Sequence, residues 1–180
     1  MKLLRTIRLD ASDTFVFERP AEPGEWAVPG AFAFWAADPA ALEGKARSAF
    51  RGGFLGVESL GWSTLVQIVE ASETDRAELV DLVTQQLLRN YGAPDVAAAC
   101  AAAEDEVAFA ESLCSEPKDT LVAVHRVYED GEVRETFRTL RPRNGAKPAR
   151  AFSFLEVEGE DDAQPGDDVD LVALAERASK

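Results

Sequence analysis

The sequence has one histidine, one methionine, two cysteines and two tyrosines in 180 residues. One histidine excludes any two-histidine metal site within a single chain, and with it the His-Glu-x-x-His pattern of metalloproteases. Two cysteines are too few for a disulfide scaffold. Long apolar runs are also missing. The longest uncharged run, Trp26 to Ala37, has twelve residues and is broken by Pro29 and Gly30, whereas a bilayer span needs roughly 20. The N-terminal MKLLRTIRLD lacks an apolar segment and a small-residue cleavage site, so it does not read as a secretion signal. Cytoplasmic localisation is the expectation, with no membrane partner. Basic residues are outnumbered, 19 Lys and Arg against 33 Asp and Glu, for a net charge of −14. An acidic surface repels phosphate backbones, so nucleic acid is not expected as a partner.

What is present is the composition of a folded protein, 46% apolar and 29% charged, in a chain long enough for one core. Half the net charge sits at one end: residues 156 to 180 hold nine acids and two bases. This composition cannot support a core. The expected organisation is one domain over 1–158 and an acidic, flexible tail over 159–180, with a short helix conceivable at 168–178.

Short strands are expected at residues 3–9, at Thr14 to Phe17 and over the kinked run Trp26 to Trp35. Asp38-Pro39 opens a short helix that ends before Gly44 or continues to Phe50. Gly52, Gly53, Gly56 and Gly61 mark an irregular stretch, and Trp62 to Val69 is again strand-like. Ser72 caps a helix with Asp75 three residues on, carrying Leu79, Val80, Val83, Leu87 and Tyr91 at helical spacing up to a stop at Gly92. Asp95 starts a second helix, with the stripe Val96, Cys100, Ala103, Val107, Ala110, Cys114. The short joint makes the two helices an antiparallel pair. Both cysteines are then buried, and lie about 21 Å apart at 1.5 Å per residue, too far for a disulfide.

Asp130-Gly131 between two β-rich runs is a hairpin signal. It sets Arg126 across from Glu135 and Val124 across from Phe137. One face of the hairpin carries Val122, Val124, Tyr128, Val133 and Phe137 and reads as core. The other carries His125, Arg134, Thr136 and Arg138. A last strand is expected over Ala151 to Val157.

Motifs that carry chemistry are mostly absent: there is no Walker loop, no dinucleotide fingerprint and no nucleophile elbow. No cofactor is implied. Four groups remain as candidates. Residues 134–150 hold six bases against one acid, a reversal of charge within an acidic chain. Arg134 and Arg138 share a strand face with His125, and guanidinium groups suit carboxylates and phosphates. Arg51-Gly52-Gly53-Phe54-Leu55-Gly56 is the second, since glycines let backbone N–H groups approach an anion. The third is Glu104, Asp105 and Glu106 with Glu111, since paired carboxylates can do acid–base work or bind metals, against the plainer reading of a solvated helix face. The fourth is the aromatic set Trp26, Phe32, Phe34, Trp35, Phe50, Phe54 and Trp62, a core or a pocket lining. The ligand-binding set is therefore His125, Arg134, Arg138, Arg51, Gly52 and Gly53, against the plainer reading of a solvated strand face and ordinary turns. No catalytic residue and no metal ligand is assigned.

Three stretches are similar to a known family: Arg5-Thr-Ile-Arg-Leu-Asp10 with Asp13-Thr-Phe-Val-Phe-Glu18, Gly24-Glu-Trp-Ala-Val28, and Phe50-Arg-Gly-Gly-Phe-Leu-Gly56 with Gly61-Trp-Ser-Thr-Leu65. They resemble a small family of uncharacterised bacterial proteins, mostly alphaproteobacterial, over most of residues 1 to 157. The resemblance implies no activity and no catalytic residues. The fold expected is α+β, an antiparallel β-sheet with an antiparallel helix pair packed on one face. The function expected first is a non-enzymatic accessory or binding protein with a protein partner or a small anionic ligand. An enzyme or binder acting on an anionic small molecule through the basic strand face is the alternative. A pocket joining that face to the glycine segment would favour the alternative.

Overall fold

The computed structural model describes residues 1–142 and 155–157, with side chains through Leu140. Its two long helices begin where side chains satisfy the first free N–H groups. Ser72 accepts from the Asp75 N–H while Asp75 returns a bond to the Ser72 N–H, a complete capping box. Glu73–Asn90 then forms a helix whose buried face is Leu79, Val80, Val83, Thr84 and Leu87, and Gly92 follows with φ +70°. Asp95 accepts from the Ala98 N–H and opens Val96–Ser112. These are the third and fourth α-helices of the chain, α3 and α4. Ser12–Val16 (α1) and Gly44–Gly52 (α2) precede them.

The strands are β1 Lys2–Ile7, β2 Trp26–Val28, β3 Phe54–Gly56, β4 Trp62–Ser63, β5 Leu65–Glu70, β6 Leu121–Glu129, β7 Glu132–Pro142 and β8 Leu155–Val157. They form one sheet in the order β4-β3-β2-β1-β5-β6-β7-β8, and every pairing between named strands is antiparallel. The fold is α+β, with α3 and α4 packed against each other and α4 against β1 and β2. Central strand β1 is covered on both sides, since Leu3 and Leu4 are both fully buried.

Several elements differ from the sequence reading. Residues 14–16 are helical, not a strand. Asp10 accepts from the Ser12 N–H at 2.7 Å and starts the turn. Phe15 and Val16 face outward, and only Phe17 is buried. The run from Trp26 breaks after Val28, and Ala31–Phe34 winds as a 3-10 helix. Strand β3 lies inside the stretch expected to be irregular. Its Gly56 is required by space, because a Cβ there would collide with the Glu25 carboxylate. The buried stripe of α4 is Ala99, Ala103, Val107 and Ala110, so Cys100 is exposed and only Cys114 is buried. The expected strand 151–157 is described only as β8, and the proposed 168–178 helix lies outside the described residues. Among the described residues no helix is long and apolar enough to cross a membrane.

Candidate functional site

The β6–β7 hairpin positions most of the candidate residues. Asp130 and Gly131 both have positive φ, 55° and 83°, the requirement of the tight hairpin turn that matches strand twist. The turn fixes the register: Ala123 opposite Arg138, His125 opposite Thr136, Arg126 opposite Glu135, Val127 opposite Arg134. Directly opposed residues share a face and faces alternate along a strand. His125, Arg134 and Arg138 therefore share one face. Arg134 and Arg138 are the diagonal neighbours of His125, about 7–8 Å away at Cα. All three are exposed.

The opposite face starts as core and ends in solvent. Val122 and Val124 are buried, but Tyr128 is 40% and Val133 43% exposed. These two were expected in the core, yet they lie at the hairpin tip beyond the neighbouring strand. The last pairing of β5 with β6 reaches only Ala123.

Between these extremes sits Arg126, with no exposed surface at all. Its Nε donates to Glu135 Oε1 at 2.5 Å, its Nη1 donates to the carbonyls of Phe50 at 3.2 Å and Gly53 at 2.7 Å, and its Nη2 donates to the Pro29 carbonyl. One guanidinium thus ties β6 to the end of α2 and to the loop after β2. Burial and the fixed charge of Glu135 act in opposite directions on it, and burial prevails, lowering its pKa. Glu106 of α4 faces the same region and accepts from the Gly30 N–H at 2.7 Å. Burial raises its pKa above the usual carboxylate value, against the Gly30 bond that lowers it; Glu135 adds to the rise and Arg126 opposes it.

Through Arg126 the glycine segment is drawn against the hairpin. The Gly53 carbonyl meets Arg126, Gly52 lies beside the Val124 carbonyl, and Arg51 Nη2 stands 3.4 Å from His125 Nε2. A guanidinium can only donate, so this contact is a hydrogen bond when Nε2 carries the lone pair. Among the described residues, neither Arg51 nor His125 has a carboxylate within ion-pairing distance. Arg134 pairs loosely with Glu129 at 3.7 Å. Two shallow cavities flank this row. One, about 280 Å³, is lined by Ala123, Val124, His125 and Arg138. The other, about 310 Å³, includes Arg47, Phe50, Arg51 and Tyr128.

The structure thus brings together His125, Arg134, Arg138, Arg51 and Gly52, which the sequence offered as two separate candidates. Gly53 serves differently: its N–H donates to the Ala49 carbonyl and its carbonyl accepts from Arg126, so its backbone is engaged inside the chain.

The other candidate groups are structural in their contacts. Glu104 and Glu111 both accept from Arg76, at 2.8 and 3.3 Å, bracing α4 on α3. Phe34 stacks on Trp62 and meets Phe50 edge-on. Phe34 and Trp62 border a cleft of about 720 Å³ whose rim mixes Glu18 and Glu22 with Arg19 and Lys45.

Two buried acids went unnoticed in the sequence. Glu25 accepts from the Glu22, Glu58 and Ser59 N–H groups and the Ser59 hydroxyl, and so holds the β3–β4 turn. Asp13 accepts from Thr64 at the β4–β5 break.

The chain belongs to the Family of unknown function (DUF6505), whose sequence profile matches residues 1–153. No curated protein and no solved structure matches it.

Proposed function

We propose that this member of the DUF6505 family is an accessory binding protein whose ligand is a carboxylate-rich segment, held by the basic row Arg51, His125, Arg138 and Arg134. The observation that carries the reading is the Arg51–His125 contact at 3.4 Å. Two basic groups are held side by side on the surface of a protein of net charge −14, with no acid of the described residues between them. The contact leaves the charge of Arg51 unneutralised by any acid of the described residues, and an incoming carboxylate can be clasped by its paired donors. The row is built on a strand pair and a helix end and is held from beneath by buried Arg126, so the donors are prearranged.

A binding role fits better than catalysis. Arg138 lines the cavity beside His125, and its guanidinium is suited to hold a carboxylate by paired donors. Two free thiols fit a reducing, cytoplasmic setting, and the resemblance of the motifs within residues 5–65 to bacterial proteins supports a bacterial one.

The test is a thermal-shift series with inorganic phosphate, glutarate and hexaglutamate on wild type and on Arg51→Ala with Arg138→Ala. Hexaglutamate should raise the wild-type midpoint and leave the double variant unmoved, with its far-UV spectrum intact. Equal shifts in both proteins would refute the reading.

A further inference from the structure

Arg51 faces two ways. Its guanidinium touches His125 at 3.4 Å, and it also lines the cavity of about 310 Å³ that includes Arg47 and Tyr128. Arg47 and Arg51 are four residues apart on α2, so they lie on one face of that helix, one turn apart. The other wall is β6, which contributes Val127, Tyr128 and Glu129. Side chains alternate across a strand, so a cavity bordered by three successive residues lies along the strand's edge and not on one face. Strand β5 pairs with β6 only as far as Ala123, and α2 packs beside β6. The cavity is therefore a groove between α2 and the outer end of β6, and Arg51 joins it to the basic row.

The groove differs from the row in its charges. Arg47 is exposed, and among the described residues it has no carboxylate within ion-pairing distance. Glu129 borders the same groove and reaches Arg134 only at 3.7 Å. A carboxylate entering there meets Glu129 as a like charge. A neutral ring does not. It gains instead from the Arg47 guanidinium, by a cation–π contact, and from Tyr128, an aromatic side chain left 40% exposed.

We infer that the acidic segment held by the basic row carries an aromatic residue, whose ring enters the groove between Arg47 and Tyr128 while a neighbouring carboxylate sits on Arg51. The inference rests on the carboxylate-binding reading and adds the side chain that makes the ligand specific. Arg47 and Arg51 are about 6 Å apart along the helix axis. An extended peptide advances about 3.3 Å per residue, so the acid on Arg51 stands one or two positions from the ring. The partner is then a protein segment in which acids flank a Phe, Tyr or Trp, and not a free dicarboxylate.

The experiment measures the anisotropy of two labelled peptides of equal charge, Glu-Glu-Phe-Glu-Glu and Glu-Glu-Ala-Glu-Glu, with the full chain. Three proteins are compared: wild type, Arg47→Gln with Tyr128→Ala, and Arg51→Ala with Arg138→Ala. The amide resonances of Arg47 and Tyr128 are followed in wild type. The expected result is about fivefold tighter binding of the Phe peptide by wild type, with both amides moved further by that peptide than by the Ala peptide. In Arg47→Gln with Tyr128→Ala the two peptides should bind equally. Removing a charge weakens both alike, so the ratio of affinities reports the ring. Equal binding of the two peptides by wild type overturns the inference. So does a preference that survives in the groove variant, or one that leaves the two amides unmoved. In each of these cases, loss of binding in Arg51→Ala with Arg138→Ala keeps the basic-row reading. Binding of neither peptide by wild type refutes both.

Discussion

Arg126 and Glu135 stand directly opposite each other in the β6–β7 hairpin, and the guanidinium of the first, wholly buried, bonds the second at 2.5 Å. A buried charge is tolerated only when its hydrogen-bonding groups are met. Here a carboxylate and three carbonyls from two other segments meet it. Arg126→Ala would strand Glu135 and those carbonyls. It should cost about 3–5 kcal/mol, read as a lower urea midpoint. Arg126→Lys should recover only part, since an ammonium cannot span the same fork of acceptors.

Gly131 at φ +83° sets the register that the basic row depends on. A β-branched side chain resists that conformation. Gly131→Val should destabilise by about 1 kcal/mol or more. Coincident thermal melts of variant and wild type would show that the turn contributes nothing.

The pH dependence of stability should carry a signature of Glu106. Its pKa in the folded protein is raised, chiefly by burial. The folded state therefore holds the proton more tightly than the unfolded chain. Stability from this group is full below the ordinary carboxylate value and is lost as pH rises through the raised one. Glu106→Gln keeps an acceptor for the Gly30 N–H and removes the titration. Relative to wild type, the variant should gain stability between about pH 4.5 and neutrality, measured by urea melts across that range. A constant difference would exclude this group as the source.

The two cysteines should react very differently. Cys114 is buried, and desolvation pushes its thiol pKa up to about 11. Cys100 is exposed. A thiol reagent at pH 8 should modify one site quickly and the other only on unfolding. Rapid labelling of both would contradict the packing of the α4 C-terminus.

The helices and the hairpin were legible because local signals agree there: the Ser72–Asp75 box, the caps at Asp95 and Gly92, and Asp130-Gly131. Cys100 was misplaced because a run rich in alanine allows two stripes one residue apart, and only contact with the sheet selects the one through Ala99. Strand β3 was hidden because Gly53 and Gly56 serve close packing against Trp62 and Glu25, not flexibility. Arg126 left one trace, a base at an inward position opposite an acid. The joining of Arg51 to His125 left none, since it depends on the curl of the sheet that brings α2 to β6.

The most direct test of the basic row follows its one histidine. His125 gives the single imidazole Cε1–H resonance of the chain, so hexaglutamate can be titrated against it by proton NMR at low salt. The account predicts a saturable shift in wild type, weakened as salt rises and lost in Arg51→Ala with Arg138→Ala. A resonance that stays put in wild type, or moves equally in the double variant, would contradict it.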